Sequence, residues 1–149
     1  MLNITREIMA DHLSSERRSW NMSRIRSKNT SSERAVRSLL HKMGYRFRLH
    51  QGNLPGKPDI VLKKHNTIIF CHGCFWHQHR NCRRATIPKT NQDYWLPKLE
   101  RNVTRFNDVR KQLESLGWRV AVIWECQTNY AQALRDRLAL SLGGIAHAI

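Results

Sequence analysis

A chain of 149 residues has the usual size of one domain and is long enough to bury a real core. Its charge is unusual: 26 Lys and Arg against 11 Asp and Glu give a formal net charge of +15. So much self-repulsion usually reflects a polyanionic partner; an anionic membrane would also attract it, but with no long apolar span and no basic helix bearing a bare apolar face, nucleic acid is favoured.

Residues 1–14 are aperiodic and read as a disordered N-terminal tail, with 15–149 as one domain. They also argue against export, because residues 1–20 lack an apolar signal core and carry Arg6, Glu7, Asp11, Glu16, Arg17 and Arg18. The four cysteines therefore read as cytoplasmic thiols held by a metal rather than as disulfides. A short basic helix is predicted over Ser15–Arg26, carrying Trp20, Met22 and Ile25. Thr30-Ser31-Ser32-Glu33 reads as a capping box. The helix behind it places Ala35, Val36, Leu39, Leu40 and Met43 at helical spacing and ends at Gly44. Tyr45–Leu49 alternates apolar and basic residues, as a half-buried strand does.

A loop from Gln51 to Pro58 follows, then strands at Asp59–Leu62 and Thr67–Phe70 joined by a link of hairpin length. After a Cys- and His-rich segment, a long helix from about Gln92 to Leu116 places Leu96, Leu99, Val103, Phe106, Val109, Leu113 and Leu116 on one face. Lys98, Arg101 and Arg105 lie on its flank. Trp118–Trp124 reads as a buried strand, and Tyr130–Leu142 as a last helix. The order predicts an α/β fold, a small sheet layered with helices.

The segment Cys71–Cys82 concentrates the chemistry, with three thiols, three imidazoles and the adjacent Phe75 and Trp76. One loop can present Cys74, His79 and Cys82 to a zinc ion, and Cys126 can add the fourth ligand from a strand end. Cys71 competes, since Cys71-x-x-Cys74 is itself a knuckle spacing. Inert buried thiols would be the plainer account, but they leave the clustered histidines unexplained. Asp59, set before a strand by a Pro-containing loop, is placed either to hold Mg²⁺ or simply to cap a turn. His72 and His77 could act as a general base or be satisfied structural side chains. Glu33 needs no task beyond its cap. Phe75 and Trp76 sit in a loop that ligands hold at the surface, where an aromatic wedge would face nucleic acid; Trp95 could join them or pack internally.

The run Leu54-Pro55-Gly56-Lys57-Pro58-Asp59, a strand, and then His72-Gly73-Cys74-Phe75-Trp76-His77-x-His79 resembles the very short patch repair (Vsr) endonucleases. So do Tyr94-Trp95-Leu96-x-Lys98-Leu99, Leu116–Val120, Trp124-Glu125-Cys126 and Asn21-Met22-Ser23-x-Ile25. The resemblance spans roughly Arg18 to Cys126. It implies a restriction-endonuclease-like fold and strand-specific nicking of double-stranded DNA, 5′ of the thymine in a T:G mismatch left by deamination of 5-methylcytosine. Carried over by position, Asp59 and the main-chain carbonyl of Cys71 would bind Mg²⁺, and His77 would activate the attacking water. His72 and Glu33 would organise the site, and Cys74, His79, Cys82 and Cys126 would hold a structural zinc. Phe75, Trp76 and Trp95 would insert beside the mismatch, with Met22 and Lys98 also meeting DNA. The family commonly has Thr where Cys71 stands, which a carbonyl ligand tolerates.

The leading expectation is thus a Mg²⁺-dependent, mismatch-directed nickase of the bacterial cytoplasm, with structural zinc. It would act as a monomer, since nicking one strand is asymmetric, with other repair proteins as further partners and no membrane. A related sequence-specific nuclease without mismatch dependence is one alternative. A catalytically silent, zinc-stabilised DNA-binding module is the other.

Overall fold

The computed structural model describes residues 13–25 and 28–143. Expectations for residues 1–12, and for the last residue of the first predicted helix, lie outside the described residues. The Ser14 side chain accepts from the Arg17 N–H and caps α1, Ser15–Ser23, which ends three residues short of the prediction. α2 spans Ser31–Lys42 behind the Thr30 cap.

Four strands form one sheet in the order β1-β2-β3-β4. β1 is only Arg48–Leu49, shorter than the predicted Tyr45–Leu49, because it finds partners only at Val61 and Ile60. β2, Ile60–Leu62, runs antiparallel to both β1 and β3, Thr67–His72. Its link to β3 is a 3-10 turn over Lys63–His65, closed by Asn66 in the left-handed region. β3 continues two residues past the predicted end at Phe70, because β4, Arg119–Trp124, pairs with it in parallel out to His72↔Trp124. A parallel pair needs a crossover, and α3, Gln92–Ser115, supplies it. α4 is Ala131–Ser141.

Strand alternation sorts the apolar side chains into two layers. Ile60, Leu62, Ile69 and Ile123 pack with Val36 and Leu40 of α2 and with Leu134 and Leu138 of α4. Val61, Ile68 and Phe70 face the other way, onto Phe106, Val109 and Leu113 of α3. Helices thus cover both faces of a small mixed sheet, and each fully buried Leu or Ile contributes about 1.5–3 kcal/mol to holding it there. The buried stripe of α3 matches the predicted face at Leu99, Phe106, Val109 and Leu113 and departs from it at its two ends. It starts at Trp95 and passes through Leu99, Phe106, Val109 and Leu113, while Leu96 and Leu116 face solvent. Positions 95, 99, 102, 106, 109 and 113 follow the 3.6-residue period, and Leu96 falls one step round the helix.

Candidate active site and metal centre

Four groups of side chains converge on the end of β3. The first is a carboxylate group. Glu33 N–H donates to Thr30 Oγ1 at 3.2 Å, the first arm of the expected capping box. The return arm reaches one residue further back, where the Asn29 N–H donates to Glu33 Oε2 at 3.0 Å. That oxygen also takes Arg37 Nη2 at 2.9 Å and lies 3.2 Å from His50 Nε2. Glu33 is only 2% exposed and does much more than cap a helix.

Asp59 arrives beside it from the loop over residues 51–58. Gly56 has φ +73°, and a Cβ there would come within 2.5 Å of Val109 Cγ1, so the loop backbone lies directly on α3. The main-chain N–H of Cys71 donates to Asp59 Oδ2 at 2.8 Å. Burial pushes the Asp59 carboxyl up to about 6, with the nearby Glu33 charge adding to the shift. Glu33, His50 and Asp59 bring potential ligand atoms within 4.8 Å of one another.

The second group is a pair of histidines. His72, 3% exposed at the end of β3, stacks on His77 with ring centroids 3.7 Å apart. Phe106 of α3 closes edge-on against His72 at 4.4 Å. Hydrogen bonds from His77 N to Gly73 O and from His79 N to Cys74 O fold the intervening loop back on itself. Burial holds both rings below the ordinary histidine range, His72 down to about 2 and His77 to about 4. The Nδ1 atoms of both are buried without a hydrogen-bond partner. No hydrogen bond among the described residues joins this pair to the carboxylates. What relates the two groups is that Cys71 and His72 are neighbours on one strand.

The third group gathers Cys74, His79, Cys82 and Cys126, whose ligand atoms all lie within 4.8 Å of one another. Cys126 Sγ is 3.5 Å from His79 Nδ1. Cys126 sits in a 3-10 turn, Glu125–Thr128, that follows β4 directly. The imidazole of His79 stacks on Trp124 at 4.2 Å, and Arg84 bonds Glu125 at 3.1 Å, so loop and turn are tied on both flanks. Three sulfurs and one imidazole nitrogen at this spacing suit a four-coordinate thiophilic cation. Cys71 is not among them. Its side chain turns onto the layer shared by α2 and α4, and burial raises its thiol far above the usual range.

The fourth group is aromatic, and here the expectation of a surface wedge needs correction. Phe75 is 6% and Trp95 2% exposed; they pack with Leu99, and of the three expected wedge residues only Trp76 keeps a partly open face. Phase explains Trp95, the first residue of the buried stripe. Met22 and Tyr94 complete the cluster, Arg18 lies 4.7 Å over the Tyr94 ring, and Lys98 Nζ is 5.7 Å from the same ring. Asn102 Nδ2 donates to Trp76 O at 3.2 Å, fixing the loop to α3.

Sequence reasoning missed His50. An isolated histidine after a short strand gives no signal until the sheet register sets it opposite Asp59.

The model of the family described as DNA mismatch endonuclease Vsr matches residues 10–84. The type II nicking enzyme V.XorIIP of Xanthomonas oryzae is 54% identical over 132 residues, 87% of this chain and 95% of that protein. V.NmeAIP, a type II nicking enzyme of Neisseria meningitidis serogroup A, is 42% identical over 87% of this chain and 92% of its own. The DNA mismatch endonuclease Vsr of Escherichia coli is 40% identical over 86% of this chain and 81% of its own. The chain belongs to the Vsr DNA mismatch endonuclease family and is a DNA endonuclease. No helix among the described residues is long and apolar enough to cross a membrane.

Proposed function

We propose that this endonuclease nicks one strand of duplex DNA 5′ of the thymine in a T:G mismatch, with Mg²⁺ as cofactor, in the bacterial cytoplasm. The observation that carries this reading is the meeting, at one end of β3, of a buried carboxylate group, a neutral histidine pair and an aromatic cluster. Asp59 and the Cys71 carbonyl would hold Mg²⁺, with Glu33 beside them. When bound, that cation supplies positive charge against the phosphate oxygens. His77, kept unprotonated by burial, has a ring nitrogen ready to take the proton of the attacking water. His72 holds the His77 ring by stacking.

Cys74, His79, Cys82 and Cys126 would hold a structural zinc, and their donor set supports that ion. It would stiffen the loop carrying Phe75, Trp76 and His77. Trp76 has the accessible face with which to meet a base pair; Phe75 and Trp95 would follow only as the cluster opens. Met22 and Lys98 border that cluster and would meet the DNA with them. Unstacking costs least where pairing is already poor, so a wedge reads a mismatch as weakness. We read the fold as restriction-endonuclease-like and the working form as a monomer. The names of the nicking-enzyme relatives support a second reading, a nickase of defined sites in matched duplex.

The test is a labelled duplex with one T:G mismatch beside its T:A twin, with and without Mg²⁺. A Mg²⁺-dependent nick beside the thymine in the mismatch alone is expected. Equal cutting of both would leave the second reading, and tight binding with no cutting would reduce the protein to a binding module.

A further inference from the structure

We propose that His50, together with Glu33, is a ligand to the cation that Asp59 holds, and that its imidazole makes this centre bind a borderline divalent ion such as Mn²⁺ more tightly than Mg²⁺. The inference rests on the reading of Asp59 as a metal ligand and goes beyond it in bringing the Glu33 and His50 side chains to the same ion and in naming which ion binds more tightly.

The sheet places His50 there. The register Leu49↔Ile60 is extended one step by the His50 N–H, which donates to Asp59 O at 3.3 Å, so the two residues lie opposite each other. His50 has φ 46°, a left-handed conformation that a side chain other than Gly or Asn adopts at a cost. Such a conformation persists where surrounding contacts fix it. Here they turn Nε2 of the imidazole onto Glu33 Oε2, 3.2 Å away, and in the loaded centre that nitrogen would give its lone pair to the cation while the ring proton sits on Nδ1.

The free lone pairs support a ligand role. Glu33 Oε2 is crowded by Asn29, Arg37 and His50, but no hydrogen bond reaches Glu33 Oε1 or Asp59 Oδ1 among the described residues. Two carboxylates with one open oxygen each, beside an imidazole and all within 4.8 Å, offer a mixed oxygen and nitrogen donor set. Mg²⁺ favours oxygen donors and keeps several waters, whereas an imidazole nitrogen raises affinity for the transition-series divalent ions. A divalent charge also offsets the mutual repulsion of Glu33 and Asp59, which Arg37 answers from one side only.

The test measures binding to the full chain as purified, using the loss of the free Mn²⁺ paramagnetic signal and, separately, Mg²⁺ calorimetry. Two variants serve, with folding checked by thermal unfolding. His50→Asn tolerates the left-handed backbone but is too short to reach the cation, and His50→Gln substitutes an oxygen donor. His50→Asn should weaken Mn²⁺ binding about tenfold or more and Mg²⁺ binding by less than about threefold. His50→Gln should keep Mg²⁺ binding and lose the preference for Mn²⁺. A parallel loss of both ions, or of neither, would overturn the proposal and leave His50 as a hydrogen-bond partner of Glu33. Asp59→Ala separates the two readings. If it abolishes binding of both ions while His50→Asn leaves their ratio unchanged, only the role of His50 fails. If it leaves both ions bound, the reading of Asp59 fails as well.

Discussion

His72 and His77 lie face to face, with ring planes 6° from parallel. Two imidazoles stacked this closely and buried cannot both carry charge, and burial already disfavours charging either. Both are therefore neutral at physiological pH, the state in which a general base works and in which acid does damage.

Acid should destabilise the fold through this pair. The unfolded chain protonates near the ordinary histidine value of about 6.5, whereas the folded values lie near 2 for His72 and 4 for His77. The stability they contribute is present above pH 6.5 and is lost as the pH falls toward 4. Asp59 acts in the opposite sense, because its folded value of about 6 lies above its ordinary 3.8 and the fold holds its proton more tightly. One group against two leaves a net loss, with His77 alone accounting for about 2–3 kcal/mol. Denaturant midpoints between pH 7 and 4 should fall, and more steeply in the native chain than in His77→Asn. Equal slopes would show that this pair is not the sensor.

Asp59→Ala should lower nicking of a T:G duplex by roughly a thousandfold or more while leaving affinity for the duplex almost unchanged. Gel-shift and nicking assays on the same samples separate the two effects. Unimpaired nicking would remove Asp59 from the reaction.

Cys126→Ser should release zinc and lower the melting temperature. A loss of ~3 kcal/mol, at ~3 °C per kcal/mol, corresponds to a fall of ~10 °C. Elemental analysis and calorimetry test both halves. One zinc per chain retained at the native melting temperature would assign the ion elsewhere.

Trp76→Ala should blunt discrimination more than affinity. Stacking on an aromatic side chain is worth ~1–3 kcal/mol per base, so the preference for T:G over T:A should fall roughly 5- to 150-fold. Equal losses on both duplexes would mean that Trp76 serves only general binding.

The features legible in the sequence are those carried by local spacing. The Thr30–Glu33 cap, the strand pair around Lys63–Asn66 and the long helix ended by Gly117 each announce themselves within a few residues. The crowding of Cys74, His79 and Cys82 was equally visible, and Cys126 stood out as a thiol at a strand end. Leu99, Phe106, Val109 and Leu113 of α3 were legible as one face, but which residue opens it was not, because Trp95 and Leu96 are adjacent large apolar residues and only packing decides which turns inward. Where β3 ends was hidden too, since its last two residues are ordered by pairing with a strand far along the chain. His50 illustrates the limit. Its place beside Glu33 and Asp59 follows from sheet register and a left-handed backbone, neither of which is written in spacing.

The thiol cluster has a consequence for how the chain is made. His79 and Cys126 are 47 residues apart in sequence and meet only once α3 has crossed from β3 to β4. During synthesis the loop carrying Cys74, His79 and Cys82 leaves the ribosome well before its fourth partner. For that interval the loop presents three of the four candidate donors without the fourth. Long-range closures of this kind are slow relative to local structure. An ion held by these four donors would therefore be fully enclosed only after Cys126 arrives, late in folding.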